Sequence, residues 1–277
     1  GDFGCSTYRT PLEKIKHNDI KKAKPNTAMV FKISDSKLIN EFTICEFDLN
    51  QHKNSFDDWN ESFKNSIHKR TTDTTQNVFI GLSSGYDSGA ISCELLNQNI
   101  PFKAYSVLTP VIVHENTSII ESRQDLISSS INSSYQNFFK DEDTRIKHRN
   151  FLAGGTEQFN YTIRCSNSNY NEYDRRLIDD KAASWMSLVC NTAKEDGNRL
   201  YLTGMGADEI FSDYGFGGVK KTQHSNFEAR YPFLDKDLVQ EFLWLSPKLK
   251  NSNYKSVLDS YFVKNNFPFS RGEKKGF

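Results

Sequence analysis

Apolar runs that end in turns of small residues and continue as helices constrain the fold of this chain most. Residues 77–82, NVFIGL, are predicted to form a buried strand, and residues 83–89, SSGYDSG, follow as a turn. The pattern then predicts a helix over 87–97 and a second strand over 102–108. A strand, a helix and a strand in succession favour a parallel sheet that is covered by helices.

The same alternation continues further along the chain. It predicts a helix over 119–131, a strand over 135–139, a helix over 174–195 and a strand over 199–203. Residues 141–170 show no pattern that assigns them to either type of element. Because the chain contains 21 Phe and 12 Tyr, we expect a core that is rich in aromatic side chains.

The part of the chain before these elements has a different character. Apolar runs over 27–33 and 37–47, joined by Ser-Asp-Ser, predict a β-hairpin. A helix is then predicted over 55–70, with Ser55 as its N-cap. Its apolar residues recur every three or four positions and give it one buried face, formed by Phe56, Trp59, Phe63 and Ile67.

Composition excludes several classes of protein. The 277 residues include 35 Lys and Arg and 35 Asp and Glu, so the basic excess typical of nucleic-acid binding is absent. No run approaches the roughly 18 apolar residues of a membrane helix. The five cysteines contain no C-x-x-C pair, and the first residues do not resemble an export signal. We therefore expect a cytoplasmic protein with no nucleic-acid or membrane partner.

The turn after the first strand has the composition of an anion-binding loop. Its small residues allow backbone N–H groups to point at a ligand, and the following helix adds positive potential. Ser83 and Ser88 provide hydroxyl donors, and Asp87 suits a divalent cation bound beside a phosphate or pyrophosphate. The turn lacks the Gly-Lys-Ser/Thr ending of a Walker A motif. A tight turn in which Asp87 only caps the helix is the alternative.

Residues 203–209, TGMGADE, likewise follow an apolar strand and combine glycines with carboxylates. If the two strand ends meet at one crevice of a parallel sheet, Asp87 and Asp208 can share one Mg²⁺. In the alternative interpretation, Asp208 and Glu209 serve only the dipole of the helix that follows.

A third segment, residues 227–235, has the sequence FEARYPFLD. Asp235 is predicted to cap a helix whose apolar positions are Leu238, Val239, Phe242 and Leu245. The simplest interpretation of Glu228 and Arg230 in this segment is a structural ion pair.

These three segments together resemble the synthetase domain of the asparagine synthetase family, whose relatives include β-lactam synthetases and lasso-peptide cyclases. The family carries S-G-G-x-D-S, G-x-G-x-D-E and E-x-R-x-P-F-L-D in that order, and this chain has S-S-G-Y-D-S, G-M-G-A-D-E and E-A-R-Y-P-F-L-D. Its last residues, RGEKKGF, are similar to the family's R-x-K-x-G-F. The resemblance covers roughly residues 50–277. We accordingly expect a hairpin segment over 1–50 and a PP-loop ATP pyrophosphatase domain over 51–277.

The resemblance implies a fold, a reaction and a set of site residues. The fold is α/β, a Rossmann-like, adenine nucleotide α-hydrolase-like parallel sheet flanked by helices. The reaction uses ATP and Mg²⁺ to convert a small-molecule or peptide carboxylate into an acyl-adenylate, which ammonia or an amine then attacks. Asp87 and Asp208 would hold the metal, Lys274 would neutralise pyrophosphate, and Glu228 would take a proton from the amine. The nucleotide would contact Leu82, Ser83, Ser84, Gly85, Asp87, Ser88, Val107, Thr203 and Gly204.

The chain also departs from the family. Residues 1–50 are too few for a glutaminase domain, and Cys5 does not replace its N-terminal cysteine, so ammonia would be free or supplied by a separate chain. Met205 stands where asparagine synthetases have Glu, which argues against aspartate as the substrate, and only 20 positions separate Asp208 from Glu228. A catalytically silent nucleotide-binding or scaffolding domain is one alternative. Another PP-loop ATPase, such as an NAD synthetase or a tRNA thiolase, is the second.

Overall fold

The structure is a computed structural model that describes residues 24, 26–108, 116–155, 160–165, 171–176, 181–211 and 228–272. Over 160–165 and 171–176, and at residue 181, it describes the backbone alone. The strands are β1 (Thr27–Phe31), β2 (Leu38–Thr43), β3 (Asn77–Gly81), β4 (Phe102–Leu108), β5 (Ser134–Phe139), β6 (Asn160–Cys165), β7 (Asn171–Arg176), β8 (Asn198–Leu202) and β9 (Glu228–Arg230). The helices are α1 (Asp57–Thr71), α2 (Tyr86–Asn97), α3 (Thr117–Ser128), α4 (Glu142–Gly155), α5 (Lys181–Glu195), α6 (Ala207–Phe211), α7 (Lys236–Trp244), α8 (Pro247–Lys250) and α9 (Ser256–Asn265).

Five parallel strands form the central sheet in the order β5-β4-β3-β8-β9. The chain first moves outward from β3 through β4 to β5, with α2 and α3 as the connections. It then returns to the other side of β3, where β8 pairs with that strand. The direction of winding therefore changes between β3 and β8, and such a switch point opens a crevice at the carboxyl ends of the strands.

Strand β3 supplies side chains to both faces of the sheet, because successive residues of a strand point in opposite directions. Val78 and Ile80 enter the larger core, and Phe79 enters the smaller one. The larger core is aromatic, as the composition predicts. Trp59 and Phe63 from α1 are fully buried there, and they stack on each other with ring centroids 5.4 Å apart. The apolar face predicted for this helix is the face that packs.

The predicted parallel sheet and the N-terminal hairpin are confirmed, and most element ends agree within a few residues. One predicted helix is wrong at its start: residues 171–176 pair with β6 as an antiparallel strand, and α5 begins only at Lys181. Strand pairing overrides any local helical preference in this charged stretch. Part of the unassigned region, 142–155, forms α4.

Ser55 is not the N-cap of α1. The helix begins at Asp57, with Phe56 in the N-cap position and no side-chain cap. The Ser55 hydroxyl instead accepts a hydrogen bond from the Asp57 amide at 3.1 Å and donates to the Asp57 carboxylate at 2.6 Å. This local turn leads directly into the first residue of the helix.

The hairpin exposes much of its apolar surface, including half of the Phe31 and Phe42 side chains. The chain after it returns to the body, where Asp48 accepts a hydrogen bond from the indole of Trp244 on α7. Within the described ranges, no helix has the length and apolar character needed to span a membrane.

Candidate functional site

The two turns singled out in the sequence emerge side by side at the switch point. Ile80 of β3 pairs with Leu202 of β8, so the turns leave the sheet at the same height. Gly204 makes the approach possible, because a Cβ at this position would lie 2.8 Å from the Cβ of Asp87. A side chain at 204 would push the two turns apart.

The carboxylates of Asp87 and Asp208 meet at this crevice, on a third residue. The Lys255 ammonium contacts the Asp208 Oδ1 atom at 2.7 Å and donates a hydrogen bond to Asp87 Oδ1. Since both oxygens contact one nitrogen, the two carboxylates lie within reach of a single cation. The sequence pattern predicted that Asp87 and Asp208 lie at one crevice, and the structure places them together there.

Lys255 is the residue of this group that sequence reasoning missed. Its side chain is only 3% exposed, and its backbone has a φ of 46° in the left-handed region, where non-glycine residues are strained. Burial by itself lowers the pKa of the Lys255 ammonium, but attraction to Asp87 and Asp208 outweighs burial, and the pKa is raised. A signal was present, because a lysine just before the apolar helix α9 opposes the helix dipole.

The donors suit a magnesium ion that brings phosphate oxygens with it. Mg²⁺ in proteins is commonly held by one or two carboxylates together with substrate phosphates. Asp87 and Asp208 offer two carboxylates, and the Lys255 ammonium shows that a positive charge fits between them. In the part of the chain that the structure describes, no cluster of three or more His, Cys, Asp or Glu side chains could hold a metal. Two carboxylates that reach one cation fit a metal that also binds nucleotide phosphates.

Hydrogen bonds among its own serines shape the loop after β3. The Ser88 hydroxyl accepts from the Ser83 amide at 3.1 Å and lies 2.9 Å from the Ser83 hydroxyl. The Gly85 amide donates to the Ser83 hydroxyl at 3.1 Å. Ser84, which replaces a family glycine, accepts from the Asn116 amide at 3.1 Å, so its hydroxyl joins the loop to the start of α3.

The residues expected around adenosine have side chains that are packed into the interior or against it. The Leu82 side chain is buried in the larger core, and Val107 packs against the smaller core. Thr203 is buried, and its hydroxyl accepts a hydrogen bond from the Met205 amide at 3.2 Å. Their contact with a nucleotide stays a prediction.

Glu228 lies apart from the carboxylate pair. It starts the edge strand β9 opposite Leu200, whereas the Arg230 carbonyl, two residues later, accepts from the Thr203 amide. Two residues of strand correspond to about 6.6 Å, so Glu228 is set back from the edge of the sheet. It forms the ion pair with Arg230 that the structural interpretation expected, at 2.8 Å, and its side chain is 60% exposed.

Two predictions fall on parts of the chain that the structure does not describe. Lys274 lies outside the described residues, and so does most of the link between Asp208 and Glu228, residues 212–227. The roles proposed for Lys274 and Glu228 remain predictions.

A parallel α/β sheet with two glycine turns at its switch point defines a nucleotide-binding class of protein. Comparison of the sequence with known families narrows this class. The asparagine synthase family matches residues 58–227, which is more than half of the chain. The chain belongs to this family of ATP-dependent synthetases, as the resemblance in the sequence predicted.

No curated protein matches the sequence. Solved structures show distant likenesses. An NMN synthetase from Francisella tularensis is 14% identical, with 74% of this chain and 78% of that chain covered and a TM-score of 0.39. The U34-tRNA thiolase NcsA from Methanococcus maripaludis is 14% identical, with 75% and 74% covered and a TM-score of 0.38. An NH3-dependent NAD synthetase from Campylobacter jejuni is 15% identical, with 77% and 85% covered and a TM-score of 0.39. At this distance the likenesses say nothing about activity.

Proposed function

We propose that this protein is an ATP-dependent ligase that activates a carboxylate as an acyl-adenylate and then forms an amide with ammonia or an amine. One observation carries the proposal. In a chain of the asparagine synthase family, Asp87 and Asp208 converge beside the loop over 83–88, at the switch point of the sheet. A carboxylate pair next to a turn with the composition of an anion-binding loop suits a metal ion that offsets charge on the phosphates of a nucleotide.

The first step activates the substrate, because a carboxylate is itself a poor electrophile. A carboxylate oxygen attacks the α-phosphorus of ATP, the new O–P bond forms, and the bond to the β-phosphate oxygen breaks. Pyrophosphate leaves with the electron pair of the broken bond. The loop of Ser83–Ser88 and the start of α2 bind the phosphates, since a helix N-terminus favours negative charge.

Charge neutralisation is the main contribution of the protein to this step. Asp87 and Asp208 would hold Mg²⁺, which when bound offsets negative charge on the leaving pyrophosphate. The Lys255 ammonium already lies between these two carboxylates, so it would have to move aside for the metal, and its positive charge would stay at the crevice. Lys274 is proposed to add another, on the strength of the family's C-terminal motif.

In the second step, nitrogen attacks the acyl carbon, the amide bond forms, and AMP leaves with the electrons of the acyl–phosphate bond. The proton lost from nitrogen needs an acceptor, and Glu228 is the residue that the family motif suggests. We further propose that the acid is a small molecule or a peptide and that ammonia comes from solution or from a separate glutaminase chain.

The test is exchange of labelled pyrophosphate into ATP, measured with a panel of carboxylic acids. Exchange is expected with at least one acid, and Asp87→Asn should reduce it to background, because an amide cannot replace the charge that the metal needs. Asp237→Asn is the matched control, since this aspartate lies on the surface of α7 with a 65% exposed side chain. It should keep full exchange.

A silent nucleotide-binding domain is the second candidate. The observation that favours it is the Lys255 ammonium, which already occupies the space between the two carboxylates. Tight binding of ATP without exchange for any acid in the panel would support this candidate and contradict the ligase.

A further inference from the structure

We propose that Arg123 is the positioning residue of the pyrophosphate loop, defined here as residues 83–88. Its guanidinium holds carbonyl groups of this loop inward, so that the neighbouring amides face the anion, and it ties the loop to the segment over 266–272. The proposal rests on the function proposed above, because it assigns the support of the same site.

Arg123 is fully buried in α3, which is unusual for arginine. A guanidinium without partners would be very unfavourable there, since burying a charge requires hydrogen bonds that replace water. Its Nη1 atom donates to the Ser83 carbonyl at 2.6 Å and to the Gly85 carbonyl at 2.9 Å. Its Nε atom donates to the Pro268 carbonyl at 3.0 Å. All three of these acceptors are backbone oxygens.

The space for the guanidinium is kept free by neighbouring residues. A Cβ at Gly89 would lie 2.5 Å from the Arg123 Cζ atom, so a glycine is needed at this position inside α2. Glycine in a helix interior is less favourable than alanine, and the space that Arg123 needs explains why a glycine stands here. The rings of Phe262 and Phe267 lie 5.7 Å and 5.4 Å from the same Cζ atom.

The hydrogen bonds to the loop fix the direction of its amides. A trans peptide is planar, and its C=O and N–H groups point in opposite directions. The Ser83 carbonyl points to Arg123, so the Ser84 amide in the same peptide group points away from it. The Gly85 carbonyl also points to Arg123, so the Tyr86 amide points away as well. Arg123 thereby turns the amides of Ser84 and Tyr86 away from its own guanidinium, and the anion would bind on that side of the loop.

The third hydrogen bond connects the loop to the end of the chain. Pro268 lies in the segment over 266–272, which is also held by Arg271, whose guanidinium contacts both carboxylate oxygens of Asp259 at 3.1 Å. This segment leads toward Lys274. Arg123 therefore couples the conformation of the pyrophosphate loop to the segment over 266–272, which precedes Lys274 in the sequence.

The test measures binding of magnesium pyrophosphate to the full chain by calorimetry, together with the thermal midpoint. Arg123→Lys keeps the positive charge, but the single ammonium of lysine lacks the planar, forked guanidinium that reaches all three carbonyls. It should weaken pyrophosphate binding by about tenfold or more, since one charged hydrogen bond corresponds to about a tenfold change. Arg123→Met should weaken it further.

Ile127→Val is the control, since this buried residue lies one turn further along α3 and away from the loop. It should lower the thermal midpoint and leave pyrophosphate affinity within about twofold. If Arg123→Lys binds pyrophosphate like the unmodified chain, the positioning role is wrong while the ligase proposal stands. If the unmodified chain binds no pyrophosphate, both proposals fail.

A measurement on the unmodified chain covers the case in which the Arg123 variants do not fold. Pyrophosphate should slow amide hydrogen exchange in the loop and also in α3 and the segment over 266–272, because Arg123 links them. Protection confined to the loop would overturn the proposal.

Discussion

The buried ammonium of Lys255 neutralises two carboxylates that would otherwise repel each other. Asp87 and Asp208 are only 25% and 18% exposed, so water screens their charges incompletely. Removal of one partner from such a buried group leaves uncompensated charge, which typically destabilises a fold by about 3–5 kcal/mol. The same removal leaves an anionic pocket that a divalent cation can fill.

Lys255→Met tests this balance, because it keeps the length of the side chain and removes the charge. In EDTA the variant should lose about 3 kcal/mol of unfolding free energy. Added Mg²⁺ should then raise its thermal midpoint more than that of the unmodified chain, as followed by calorimetric melting.

Lys264→Met, near the other end of α9, is the matched control, since its ion pair with Asp57 is exposed to solvent and should contribute little to stability. An equal effect of Mg²⁺ on Lys255→Met and on the unmodified chain would show that the metal does not enter between the carboxylates.

The Asp235 side chain forms hydrogen bonds with both α1 and α7. The Asp235 carboxylate caps α7 by accepting from the amides of Asp237 and Leu238, and it accepts from Arg70 of α1 at 2.9 Å. Burial alone raises the pKa of Asp235, but the hydrogen bond and charge of Arg70, with the charge of Lys69, lower it overall. The folded chain therefore holds this carboxylate in its charged form.

A lowered pKa in the folded state predicts a pH dependence with a definite sign. The stabilisation by Asp235 is complete above the unfolded-state pKa of about 3.9 and is lost as the pH falls through the lower folded-state value. Asp235→Asn keeps a capping side chain but loses the ion pair, and it should reduce stability by about 1–3 kcal/mol at pH 7.

The difference in unfolding free energy between Asp235→Asn and the unmodified chain should shrink as the pH falls below about 4. Urea unfolding at several pH values measures it. Asp237→Asn, which alters an exposed ion pair, should show a much smaller difference throughout. A difference for Asp235→Asn that does not change with pH would exclude the ion pair as its cause.

The molecule as a whole is organised by the switch point between β3 and β8. The first turn comes from the outward half of the winding and the second from the returning half. Their contact depends on Gly204, because a Cβ at this position would also lie 3.5 Å from the Ser88 nitrogen. The width of the crevice is therefore set by the packing of two distant parts of the chain.

Gly204→Ala should widen the crevice. The added methyl group would meet Asp87, and overpacking of this kind typically destabilises by about 1–3 kcal/mol. ATP affinity should fall as well, measured by calorimetry at a temperature where the variant is folded.

Gly154→Ala is the control, because a Cβ there meets nothing within 4 Å and alanine favours the helix. This variant should be as stable as the unmodified chain or slightly more stable. Unchanged stability and ATP affinity in Gly204→Ala would show that the two turns do not need to be this close.

Local pattern was enough to predict most of the elements and the parallel sheet. The apolar runs before Ser83 and Thr203 predict strands, and the small residues after them predict turns, because strand burial and backbone space are local requirements. The apolar spacing of α1 predicted the face that packs. Asp235 was predicted as a cap for the same reason, since a cap depends on the residues that follow it directly.

Only the tertiary structure determines which groups contact the two buried cations, Lys255 and Arg123. Lys255 and Arg123 have mostly polar neighbours in the sequence, and nothing in those neighbours indicates that either residue is buried or which groups compensate its charge. Those groups are Asp87, Asp208 and the carbonyls of the loop, which approach only after the sheet is wound. Burying a charge is favourable only with partners, and the partners of a charge are set by packing between distant segments.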